Sequence, residues 1–224
     1  MDVYVESGPK KVFACAVDWP GWCRSAKTPD AALEALAAYG ERYRAALGSG
    51  RGFAPPAGAS ALTVVERLKG GSGTDFGIPS AEAEADRRAV DDDELTRLSG
   101  ILSAAWKTFD ATAAMAAGHE LETGPRGGGR DLSKIVEHVF EAEVAYARQL
   151  GVPTRDAEAP GLKPDARMAA VRTLELDLLA VRARGGDPPE NPRRRSPYWS
   201  PRYFVRRSAW HALDHAWEIE DRVD

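Results

Sequence analysis

From Asp92 onward the sequence reads as four helical stretches parted by breaks rich in glycine or proline. In the first stretch Leu95, Leu98, Leu102, Trp106, Phe109, Ala113 and Ala116 recur every three or four residues, which puts them on one side of a helix. That helix is predicted from Asp92 to about Gly118, with Asp91–Asp93 placing negative charge at its positive end. A second is predicted from an Asp131 cap to Leu150, its stripe made by Leu132, Ile135, Val139, Ala142 and Tyr146. A third runs from Pro164 to Arg184 and is stopped by Gly185–Gly186 and Pro188–Pro189. The fourth begins at a Ser200 cap, with Pro201 at its first helical position. Four such helices with short connections bury their stripes against one another, and a four-helix bundle over 92–224 is expected.

The residues ahead of the bundle follow another rhythm. Val3–Tyr4–Val5 and Val12–Val17 are short apolar runs of strand composition, separated by a Gly8–Pro9 turn. Trp22–Ser25 reads as a third strand. Thr28 then caps a helix carrying Leu33, Leu36, Ala37, Tyr43 and Leu47. Gly48–Gly58 is a loop, and Leu62–Val65 returns as a strand. Gly70, Gly71, Gly73, Gly77 and Pro79 mark a change of character. The chain as a whole is therefore expected to be α+β: a small β-β-β-α-β domain (1–72), a linker (73–91) and the bundle (92–224), a division that 224 residues accommodate.

A hydrophobic content of 43% and a charged content of 29% are ordinary for a soluble domain. No apolar run approaches the roughly 18 residues of a membrane span, and the N-terminal residues lack a signal-peptide core. A cytoplasmic location is the expectation. Cys15 and Cys23 flank Trp19–Pro20–Gly21, so a hairpin could bring them together, but two reduced thiols are expected in that compartment. The net charge of −4 argues against general nucleic-acid binding. Locally the charge is uneven: residues 82–94 are acidic, and 193–207 carry Arg193, Arg194, Arg195, Arg202, Arg206 and Arg207.

The chain has four histidines. His211 and His215 are four apart on the last predicted helix, one turn apart on one face, and can share a metal through neutral ring nitrogens. Ala212 follows His211 where a zinc-protease motif would need glutamate. His138, in the middle of the second helix, can supply a third ligand from across the bundle. His119 falls beside Gly118 at a helix end, where a cap or solvent role is simpler. The competing reading makes all of these ordinary core or surface residues. Glu218, three residues past His215, could accept a hydrogen bond from a ligand, act as a general base or be a fourth ligand. Glu141 holds the same spacing from His138 and reads equally as a solvated side chain.

Arginines surround this pattern. The loop Gly124–Arg130 precedes a helix N-terminus and could receive an anion, with Arg126 and Arg130 at hand; it lacks the ending of a P-loop, and a flexible turn is the alternative. Arg207 lies near the histidine face and could hold a substrate carboxylate or phosphate, while pairing with the acidic 82–94 stretch competes. Trp210, Leu213 and Trp217 form a different stripe on the same helix. They call for a second buried surface, either the N-terminal domain or a partner subunit, and read equally as ordinary bundle core; a homodimer is one assembly open to the chain.

One histidine in Ile135-Val136-Glu137-His138, followed by His211-x-x-x-His215 on a last helix, resembles the DinB-like superfamily of metalloenzymes over about residues 92–224. The resemblance implies one divalent ion, commonly zinc or nickel, on His138, His211 and His215. It also implies activities such as thiol-dependent transfer or isomerisation, with a low-molecular-weight thiol as cosubstrate. Val12 to Leu47, with Asp18-Trp19-Pro20-Gly21-Trp22-Cys23 and the alanine-rich helix after Asp30, resembles HicB-like antitoxin domains, which bind a protein partner. The DNA-binding tail of that family is replaced here by the helices. The expectation is a metal-dependent transferase, isomerase or hydrolase acting on a small anionic molecule. Its rival is a regulatory module whose N-terminal domain engages a protein while the metal is structural.

Overall fold

The computed structural model of the protein describes residues 1–123, 129–188 and 194–223. Three strands open the chain: β1 (Asp2–Ser7), β2 (Val12–Ala16) and β3 (Cys23–Ala26). Helices α1 (Pro29–Ala38) and α2 (Gly40–Leu47) follow, then β4 (Thr63–Lys69) and a short α3 (Ser72–Phe76). The sheet has the order β3-β2-β1-β4, with β1 antiparallel to β2, β2 antiparallel to β3, and β1 parallel to β4. The strand period of two sorts its residues. Val3, Val5, Val12, Ala14 and Ala16 face the core shared with Leu36 and Tyr43. Tyr4, Phe13, Cys15 and Cys23 face a second cluster with Ala83, Ala85 and Trp210.

Two expectations change here. Cys15 and Cys23 stand directly opposite in the β2–β3 register and are joined in a disulfide, in place of reduced thiols. The single helix expected from Thr28 to Leu47 is two, parted at Tyr39. Thr28 caps the first as expected, accepting from the Ala31 amide. The break re-aims the chain so that Tyr39 packs edge-on to Trp217 while Tyr43 stacks on Trp22. Gly40 makes room for Pro55, whose Cβ lies 3.1 Å from where a side chain would begin.

The region of 73–91 is tied down. The buried Glu6 carboxylate accepts from the Thr74 hydroxyl and from the amides of Ser80 and Ala81. Asp86, also buried, pairs with Arg206. The groups that fix it, the Glu6 acceptor and the Arg206 donor, lie far away in sequence.

The helical region comprises α4 (Asp92–Met115), α5 (Leu132–Leu150), the short α6 (Thr154–Glu158), α7 (Pro164–Ala183) and α8 (Pro201–Glu220). Asp131 and Ser200 cap α5 and α8, accepting from Lys134 and Tyr203 amides. The long helices close a ring in which α4 packs on α8, α8 on α5, α5 on α7 and α7 on α4. This is the expected four-helix bundle, and with the mixed sheet it makes the chain α+β. No helix among the described residues is long and apolar enough to cross a membrane.

Helix α8 is the common wall. Its histidine side faces α5, and its tryptophan side meets the N-terminal sheet and helices: Trp210 is edge-on to Phe13 at 6.2 Å and Trp217 to Tyr39 at 5.1 Å. Gly21, at φ +91°, lets the strand turn press against α8, where a Cβ would stand 3.1 Å from both Ala209 and Leu213.

Candidate metal centre

Helical periodicity builds the site from two helices. His211 and His215 stack one turn apart on α8, with ring centroids 4.5 Å apart. His138 comes from the facing side of α5, 5.1 Å from His211 and 5.0 Å from His215 by the same measure. One ligand atom from each ring lies within 4.8 Å of the others. The closest pair, His211 Nε2 and His138 Nε2, is 3.3 Å apart. A tetrahedral ion with metal–nitrogen bonds of about 2.0–2.1 Å would hold its nitrogens roughly 3.3 Å apart, the spacing of the His211–His138 pair, while the wider separations within the group would have to close to meet it. His211 and His215 are buried, whereas His138 is half-buried. Access from solvent is therefore on the α5 side.

The electrostatics favour neutral rings, the form that binds a metal. Burial, then the positive charge of His215, His138, Arg207 and Arg130, lowers the His211 pKa well below its ordinary value. Burial lowers that of His138 as well, with His215 and Arg130 adding to it.

Behind His215 stands a chain of supporting groups. Its Nδ1 is 2.7 Å from Glu218 Oε2. The other oxygen of Glu218 accepts from Arg222 Nη1 at 3.0 Å. Arg222 in turn donates to the carbonyls of Glu122 and Arg130. A carboxylate held by arginine can only accept, so His215 carries its proton on Nδ1 and offers Nε2 to the cluster. Of the three roles open to Glu218 in the sequence, the geometry displays the first, an acceptor that orients a ligand.

The arginines divide. Arg202 pairs with Glu94 and Arg206 with Asp86, so both are spent on the acidic stretch. Arg194 ties down its own loop through Gln149 and backbone carbonyls. Arg207 is buried beside the site; it donates to the Pro79 carbonyl and to the Tyr146 hydroxyl and lies over the Trp210 ring. Arg130 is exposed, and its charge reaches both His138 and His211. Arg126 and the loop residues Gly124–Gly128 lie outside the described residues. His119 is exposed at the end of α4, away from the cluster, and Glu141 is exposed on α5.

Sequence reasoning missed Arg222, which lies just past the end of α8, although its spacing of four from Glu218 was the available signal. It also missed a polar layer inside the bundle. Glu143 is fully buried, accepting from Trp106 Nε1 at 3.0 Å and from the Ser208 hydroxyl at 2.8 Å. Its signal was a carboxylate on an otherwise apolar stripe, Ile135–Val139–Glu143–Ala147.

Comparison with known proteins finds no matching family model, no similar curated protein and no similar solved structure, so the chemistry rests on these residues.

Proposed function

We propose that this protein is a divalent-metal enzyme of DinB-like type, with His138, His211 and His215 as the ligands and a small anionic or thiol-bearing molecule as substrate. The observation that carries this is the convergence of three imidazoles from two helices, with the ring of His215 oriented by Glu218. Three nitrogen ligands leave positions open, and a zinc- or nickel-like ion there would supply a Lewis acid that favours the deprotonated form of a thiol or water. The chain's own groups do the rest. Glu218 fixes the tautomer of His215 and is in turn fixed by Arg222. Arg207 and Arg130 set a positive field at the cluster, which suits an anionic substrate.

Metal content measured by elemental mass spectrometry on protein purified without a histidine tag tests the reading. About one equivalent in the wild type, lost in H211A/H215A, is expected. A folded wild type that stays metal-free after incubation with zinc and nickel would end it.

A second reading has one observation in its favour: α8 carries two of the ligands and also the contacts to the N-terminal sheet. A metal there would staple the molecule, leaving the HicB-like domain to engage a protein. Under that reading chelation removes helical circular dichroism along with the metal. Under the enzyme reading the chelated protein stays folded.

A further inference from the structure

The polar layer of the bundle is independent of the histidines and unused by the reading above. Glu143 on α5 and Glu175 on α7 are both wholly buried. Glu143 is satisfied by Trp106 of α4 and Ser208 of α8. Among the described residues no N–H or O–H donor reaches either oxygen of Glu175. An ionised carboxylate so placed is costly, whereas a protonated one needs only an acceptor, and Glu143 is beside it. Arg172, one turn before Glu175 on α7, has the complementary imbalance. Its Nε and Nη2 are buried without acceptors. Its Nη1 reaches outward 2.7 Å to Asp110, a residue whose side chain is 55% exposed.

We propose that Glu143 and Glu175 share one proton in the bundle core, and that Arg172 is their reserve counter-ion, held outward on Asp110 until the proton leaves and then drawn inward. The groups around the pair leave few other partners. From α4 it meets Trp106, with Asp110 one turn on. From α7 it meets Arg172, and from α5 Tyr146. From α8 it meets Ser208, with Arg207 beyond on Tyr146. Arg207 donates to Pro79 and Tyr146 and keeps only its Nε without a partner, whereas Arg172 has both Nε and Nη2 unpartnered, so Arg172 is the nearby cation with the larger unspent capacity. Burial raises the pKa of both carboxyls; for Glu175 the charge of Glu143 adds to it and Arg172 opposes it. The device has a target. Asp110 and Arg172 both line a cavity of about 410 Å³ between α4, α5 and α7, whose floor includes Phe109, Phe140 and Met168. The inward swing takes a guanidinium from that wall and leaves Asp110 unpaired there, so the charge offered to a ligand changes with pH.

Infrared difference spectroscopy of the full-length protein, titrated through neutral pH, tests this. The folded wild type should show the C=O stretch of a buried protonated carboxyl, lost as the pH rises and absent from E175Q. D110N, a change at the surface, frees Arg172 and should move that loss to lower pH. R172Q removes the counter-ion and should move it to higher pH. The absence of a protonated-carboxyl band at neutral pH overturns the proposal, as does a midpoint that D110N leaves in place. Should E175Q fail to fold, the opposite shifts of D110N and R172Q decide alone.

Discussion

At the scale of single residues, His138 and His211 are imidazoles that burial and the neighbouring positive charge keep neutral. That has a signed consequence. In the unfolded chain His138 and His211 protonate near pH 6.5, whereas in the folded protein both resist protonation. The unfolded state therefore takes up protons first as pH falls, and the stability owed to these rings is present above about 6.5 and lost below it. Denaturant unfolding of the metal-free protein at several pH values, set against H138N/H211N, should show it. The comparison cancels the contribution of Glu143 and Glu175, which has the opposite sign because their raised pKa values favour the folded state in acid. A parallel pH dependence in the two proteins would refute the assignment. Glu218 can be tested separately. Losing its charge leaves His215 less firmly oriented, and metal affinity in E218Q should fall by about 10- to 100-fold, as for other carboxylates that support a ligand. Competition against a chromophoric chelator reads this directly, and an unchanged affinity would show that Glu218 does not set the ligand. The histidine group was legible in part because a helix converts the spacing of four between His211 and His215 into a shared face, which His138 meets from α5. Arg222 and the Glu143–Glu175 pair were harder to see, since a charged residue is ordinarily read as solvated and nothing local announces a partner on another helix.

At the scale of elements, caps and stripes fixed most boundaries. Thr28, Asp131 and Ser200 all bond the amide three residues on, as their types and positions imply. The break between α1 and α2 was hidden because the apolar spacing runs through it, and only the packing of Tyr39 on Trp217 requires the turn. In the linker of 73–91 composition reports what a segment lacks in itself, while Glu6 and Arg206, which hold it, belong to other elements. One close joint between elements is Gly21 against α8. Alanine there meets a left-handed backbone and a full contact surface together, so G21A should destabilise the protein by on the order of 2–5 kcal/mol, combining backbone strain and overpacking. Chemical denaturation measures the loss. A variant within 0.5 kcal/mol or so of the wild type, the usual range for surface substitutions, would mean that the turn and α8 are not held at this distance.

At the scale of the molecule, one helix serves three neighbours. It contributes two of the candidate ligands, a hydroxyl to the buried Glu143 carboxylate and the tryptophan face that covers the sheet. During synthesis the sheet and the other three bundle helices leave the ribosome before α8, with the sheet's Tyr4–Phe13 face uncovered and only His138 of the three histidines in place. Parts that emerge early in translation ordinarily fold as they appear. Here neither half can finish without α8, so maturation of the protein is a single closing event in which two incomplete halves receive the same missing piece.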